Sequence, residues 1–170
     1  MTLVRNLTLG LLVVVALVLQ VSVFTHVSVA GVVPDLVLLV VVGAAIALGA
    51  HHGAVLGFAG GLLVDLAPPA DHVAGRWALA LMLAGYVAGR VRQETRPTIG
   101  VVAVIVVACS FLASSVFALS GVLLQDSAAA VGEMLRVTGY GMVWDLLLAA
   151  VVVPLVVLVV RRFSAPREVW

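Results

Sequence analysis

The stretch "GAVLGFAGGLLVDLAPP", Gly53 to Pro69, decides how this chain is read. It is apolar enough for a lipid bilayer, yet it carries four glycines and ends on an aspartate beside two prolines. Gly53, Gly57, Gly61 and Asp65 recur at every fourth position. A helix of 3.6 residues per turn drifts only about 40° per such step, so all four share one broad face. Small residues at this spacing let helix backbones approach closely, which matters in lipid, where packing takes over from the hydrophobic drive. Two occupants suit that face. Ala80, Ala84 and Ala88, with Gly85 and Gly89, give the next apolar run a matching small face, and a partner subunit's helix docked in the groove is the other.

Working outward, composition fixes the class. The chain has 170 residues, 64% hydrophobic and 10% charged, with a mean hydropathy of +1.30. Soluble domains run at about 45–50% apolar and 25% charged, so this is an integral membrane protein, and apolar runs of helix-span length make its expected fold class all-α. A net charge of +1 argues against a general attraction to nucleic acid, so no nucleic-acid partner is expected. The one cysteine, Cys109, can form no internal disulfide and is expected to be a small buried hydrophobe.

Apolar runs place spans at about residues 7–29, 34–50, 98–124 and 140–160. Between them lie two shorter runs, 53–66 and 76–89, separated by the polar turn "APPADHVAGR". Each short run is only about 20 Å long as a helix, against a hydrocarbon core of about 30 Å. Either both cross, making a six-helix bundle in a single domain over 1–170, or they form a re-entrant hairpin. Six crossings are favoured, because a buried hairpin tip carrying Asp71, His72 and Arg76 needs costly internal partners. With the N-terminus inside, Arg5, Arg90, Arg92, Arg96, Arg161, Arg162 and Arg167 are cytoplasmic and only Arg76 and Arg136 lie outside, so both termini are expected in the cytoplasm. The apolar core near the N-terminus is longer than the 7–15 residues of a cleaved signal peptide.

Ionisable groups within spans are the functional candidates, since a carboxylate at mid-membrane costs about 2.5–3.5 kcal/mol on insertion scales. Asp35 opens the second helix, Asp65 closes the third, and Asp145 lies just over one turn into the sixth. Asp35, after Pro34, is also a good first-turn acid. Arg76, at the start of the fourth helix, is expected to pair with Asp65 or Asp145. The four histidines fall on opposite sides of the membrane without metal-ligand spacing, so no metal and no cofactor is expected, and His51 and His52 are placed in a tight cytoplasmic turn. Serines at 110, 114, 115 and 120 have no base at fixed spacing and are expected to bond within or between helices. In "QDSAAAVGEMLRVTG", Ser127 is placed to cap a short amphipathic helix with Val131, Met134 and Leu135 on one face. The arginine-bearing loop "RVRQETRP" and tail "RRFSAPREVW" suit contacts with anionic membrane lipid.

The proline–aspartate start "PDLVLLVVV", the tight turn, "GAVLGFAGGLLVDL", a small polar loop with glycine and the short helix "LALMLAGYVAG" together resemble the rod shape-determining protein MreD family. The resemblance runs over essentially the full chain. Its signature falls on Pro34, Asp35, Gly53, Gly57, Phe58, Gly61, Leu62 and Asp65, with Gly75 in the following loop. In the sixth helix, where members often carry a polar amide, this chain has Asp145. The resemblance implies a non-enzymatic subunit of the bacterial cell-elongation machinery in the cytoplasmic membrane. Its implied partners are the single-pass protein MreC, the glycosyltransferase RodA and a class B penicillin-binding protein, in lateral peptidoglycan synthesis. It also implies a fold like the substrate-binding subunit of energy-coupling-factor transporters. A solute-binding subunit of a vitamin transporter is accordingly the alternative function, with Trp77, Tyr140 and Trp144 as the few aromatic residues near the rim.

Overall fold

The computed structural model describes residues 2–28, 31–68, 72–91, 98–125 and 131–163. Every regular element among them is helical: α1 (Thr2–Ser22), a 3-10 turn (Phe24–Val27), α2 (Leu36–Leu48), α3 (Ala50–Leu66), α4 (Arg76–Arg90), α5 (Ile99–Leu123) and α6 (Val131–Arg162). By length and composition, three helical segments can cross a membrane: Leu3–Ser22, Ile99–Leu123 and Leu135–Arg162. The helices α2, α3 and α4 are shorter, with 13, 17 and 15 residues.

The shortest helix is the centre of the molecule. Nothing polar interrupts α2 between Leu36 and Leu48, so it has no face to offer water. It touches each of the other five helices, and Leu36 to Ile46 are all buried. The outer helices instead bury narrow stripes. In α1 these are Leu9, Val13 and Ala16, while in α6 Asp145, Ala149, Val153, Val156 and Val160 repeat at helical spacing and lie against the core. Thus Asp145 sits on the same stripe as the apolar residues that pack α6 onto α2.

Several boundaries differ from the sequence expectation. The first helix stops at Ser22, not near residue 29, because alternating β-branched and polar residues from Val21 to Val27 weaken it. His51 and His52 fall in the first turn of α3 instead of a loop; the turn is Gly49 alone, at φ +97°, a backbone conformation open to glycine. There Arg5 Nη2 lies 3.3 Å from His52 Nε2 and ties the start of α1 to that of α3. The separate amphipathic piece around Leu135 is the first part of α6, which runs unbroken from Val131 because continuing the helix satisfies its own backbone groups. Ser127, Asp71, Arg92, Arg96 and Arg167 lie outside the described residues.

Candidate functional site

The glycine face of α3 is occupied by α4. A Cβ on Gly53 would overlap the carbonyl of Gly85, one on Gly57 that of Leu81, and one on Gly61 that of Trp77. Each step of four residues up α3 thus meets a step of four down α4, backbone against backbone. One turn beyond Gly61 the pattern changes character, because α4 has begun and presents unpaired N–H groups instead of carbonyls. Asp65, 1% exposed, meets them: Oδ2 accepts from the backbone N–H of Gly75 at 2.8 Å and of Ala78 at 3.0 Å, and Oδ1 from Trp77 at 3.1 Å. His72 Nε2 lies 3.6 Å from Oδ1. The N-cap position of α4 is Gly75, in the left-handed region at φ +100°, which has no side chain to cap with. The glycine stripe lets α3 come close enough to supply the missing cap from another helix.

Arg76 turns the other way. It is 4% exposed; Nη2 donates to the Phe117 carbonyl at 2.8 Å, Nε to Ser120 Oγ at 3.3 Å, and the guanidinium lies 3.9 Å over the Phe117 ring. Gly121 makes room for it, since a Cβ there would overlap Nη2. Among the described contacts, the expected pairing with Asp65 or Asp145 is replaced by this clamp onto α5. The physical reason is that the helix N-terminus, with its aligned dipole and open N–H groups, already supplies Asp65 with what an arginine would have supplied.

A second borrowed cap sits at the start of α2. Asp35 caps its own helix, Oδ1 accepting from the Leu38 N–H at 2.9 Å. Asp145 reaches across from α6, 2% exposed, with Oδ1 accepting from the Asp35 N–H at 2.8 Å and Oδ2 from the Ser110 hydroxyl at 2.6 Å. From α1, Gln20 Oε1 accepts from the Val37 N–H at 3.3 Å. Beside these groups opens a cavity of about 230 Å³, lined by Asp35, Asp145, Ser110, Ser114, Trp77 and Leu38 among others.

The structure therefore brings Gly53, Gly57, Gly61, Asp65 and Arg76 together at the α3–α4–α5 junction, and Asp35 with Asp145 at the start of α2. Phe58 is placed apart from both, half exposed on the outer face of α3. Gln20 and Gly121 enter the picture from the structure, while Ser110, one of the serines expected to bond within or between helices, donates from α5 to Asp145 on α6. Gln20 had a signal, being the lone amide in the apolar run of the first helix. No group of three or more metal-ligating side chains exists among the described residues.

No curated protein and no solved structure matches the chain. The model of one family does, described as rod shape-determining protein MreD, and it covers residues 1–163, nearly the whole length. That span includes both borrowed caps and the glycine seam, and the chain belongs to the rod shape-determining protein MreD family.

Proposed function

We propose that this protein is a non-enzymatic subunit of the bacterial cell-elongation machinery that supports lateral peptidoglycan synthesis by holding partner membrane proteins together. An MreC-like single-pass protein is the first partner, with a RodA-like glycosyltransferase and a class B penicillin-binding protein beyond it. The family match across residues 1–163 carries this reading, since that family consists of shape-determining membrane proteins. The chemistry agrees with it. Asp65 and Asp145 are buried and hold backbone N–H groups, an arrangement that stiffens the starts of short helices.

All six helices cross the membrane in this reading, with both termini cytoplasmic, in a bundle like the substrate-binding subunit of energy-coupling-factor transporters. The borrowed caps support it, because a short helix tolerates membrane depth when its end groups are satisfied from inside the protein. Arg5, Arg90, Arg161 and Arg162 lie near helix ends that this reading puts in the cytoplasm, in line with the positive-inside rule. The partner docks on the apolar faces that α1 and α3 leave exposed, among them the face bearing Phe58.

Gentle purification of the tagged protein from its native membrane, with mass spectrometry of what accompanies it, tests the reading. Recovery of a single-pass protein with an extracytoplasmic coiled coil, together with peptidoglycan synthases, is expected. Recovery of paired ATPases with a membrane coupling subunit overturns it in favour of a transporter.

A further inference from the structure

We propose that the cavity at the start of α2, between α2, α5 and α6, is a binding site for an ammonium or guanidinium group. Its polar side chains are two carboxylates and the hydroxyls of Ser110 and Ser114. Asp145 and Asp35 contribute carboxylates, and the Ser110 hydroxyl has committed its proton to Asp145. Each oxygen of Asp145 has one donor, and the Asp35 carboxylate takes the backbone N–H groups of Leu38 and Val37 at the start of its own helix. A carboxylate has about four lone-pair sites. The pair thus retains unfilled acceptor capacity beside an open space.

Charge points the same way. Among the described residues the cavity is lined by two acids and no base, and the hydrogen bonds of Asp35 and Asp145 run to backbone and hydroxyl groups. Two carboxylates adjoining at low dielectric repel each other, and a cation between them relieves that repulsion, whereas an anion adds to it. Trp77 adds an independent preference, since an indole attracts cations to its face. Trp77 is held in place by stacking on Phe117, with 4.6 Å between ring centroids. Size narrows the class further. A volume of about 230 Å³ lies below the roughly 300–1,000 Å³ of ordinary ligand pockets, which suits a single small cationic head and not a vitamin ring. A free small amine or guanidine supplies that chemistry, and so does an arginine or lysine side chain of a membrane partner, the latter resting on the function proposed above.

The test uses the full chain in lipid nanodiscs, titrated with methylguanidinium chloride, with its neutral isostere methylurea and with sodium chloride at equal ionic strength. Thermal unfolding and tryptophan fluorescence are the readouts. A saturable response to methylguanidinium alone is expected. Asp35→Asn keeps a good capping residue at the start of α2 but lowers the affinity at least tenfold. Should that variant fail to fold, Trp77→Leu takes its place, with several-fold weaker binding expected. The absence of a saturable response in the unaltered protein, or unchanged affinity in the folded variant, overturns the proposal. Repeating the titration on the complex with a co-purified single-pass partner separates the two sources. Loss of the response in the complex identifies a partner's basic side chain, and its persistence identifies a free solute; both uphold the site. Failure to recover any partner bears on the proposed function alone and leaves the titration of the isolated subunit intact.

Discussion

Asp65 and Asp145 do the same job at the starts of two short helices and are left in different states. Asp65 receives three backbone N–H groups in a seam where glycines press two backbones together, and its acceptor capacity is nearly used up. Asp145 receives one backbone N–H and one hydroxyl, and with Asp35 it borders a cavity. An acid buried in a membrane helix is therefore read first as a possible cap for a neighbouring helix. Function is sought where acceptor capacity remains after the caps are made. On that ground the α3–α4 seam is architecture, and the α2–α5–α6 region is where a ligand or a partner's side chain enters.

The largest expected effect comes from filling the seam. Gly57→Leu drives a side chain into the Leu81 carbonyl, whose carbon would be 2.6 Å from the new Cβ. Overpacking a core typically costs about 1–3 kcal/mol. Here the obstacle is backbone and cannot swing aside, so the top of that range or more is expected, seen as loss of monodisperse protein on gel filtration and of rod shape in cells. Normal yield with normal shape would show that α3 and α4 can separate at Gly57 without loss of the fold. Asp65→Ala comes next. It removes the acceptor of three N–H groups at a helix start, and with water entering the vacated space to satisfy part of them a loss of about 1–3 kcal/mol is expected, read as a lower thermal unfolding temperature of the purified protein, with Asp65→Asn intermediate because one oxygen survives.

Asp145→Asn sharpens the comparison from the other side. The amide oxygen still accepts from the Asp35 N–H, and the Ser110 hydroxyl is free to rotate, so a loss of about 1 kcal/mol is expected, the scale of a single hydrogen bond. A drop as large as that of Asp65→Ala would mean the start of α2 is as tightly filled as the start of α4.

What the sequence made legible follows from which forces are local. Apolar run lengths marked the two short segments, and the four-residue recurrence of glycine put Gly53, Gly57 and Gly61 on one face with Asp65. Partners were less legible. Reasoning from charge pairs Asp65 with Arg76, because opposite charges are visible in a sequence and the open N–H groups of a helix start are not. A hint was present nonetheless: Gly75 precedes α4 and carries no capping side chain, so the cap had to come from elsewhere. Boundaries failed for a similar reason. Bilayer thickness sets the least a span needs, while α6 continues to Val131 because nothing in its sequence stops it.

Gly10→Ala should have the smallest effect. Gly10 lies exposed midway along α1, and a Cβ there meets nothing within 4 Å. Alanine favours a helix over glycine by about 1 kcal/mol, so the isolated subunit should be unchanged or slightly more stable to heat, in contrast to Gly57→Leu. Stability and partner recovery need not move together at this position. If the purified protein is intact but the single-pass partner no longer accompanies it, close approach at Gly10 is needed in the complex, and the exposed stripe of Leu3, Leu7, Leu11 and Val14 becomes the docking face. If both are unchanged, that stripe faces lipid at Gly10, and the outer face of α3 around Phe58 becomes the place to look.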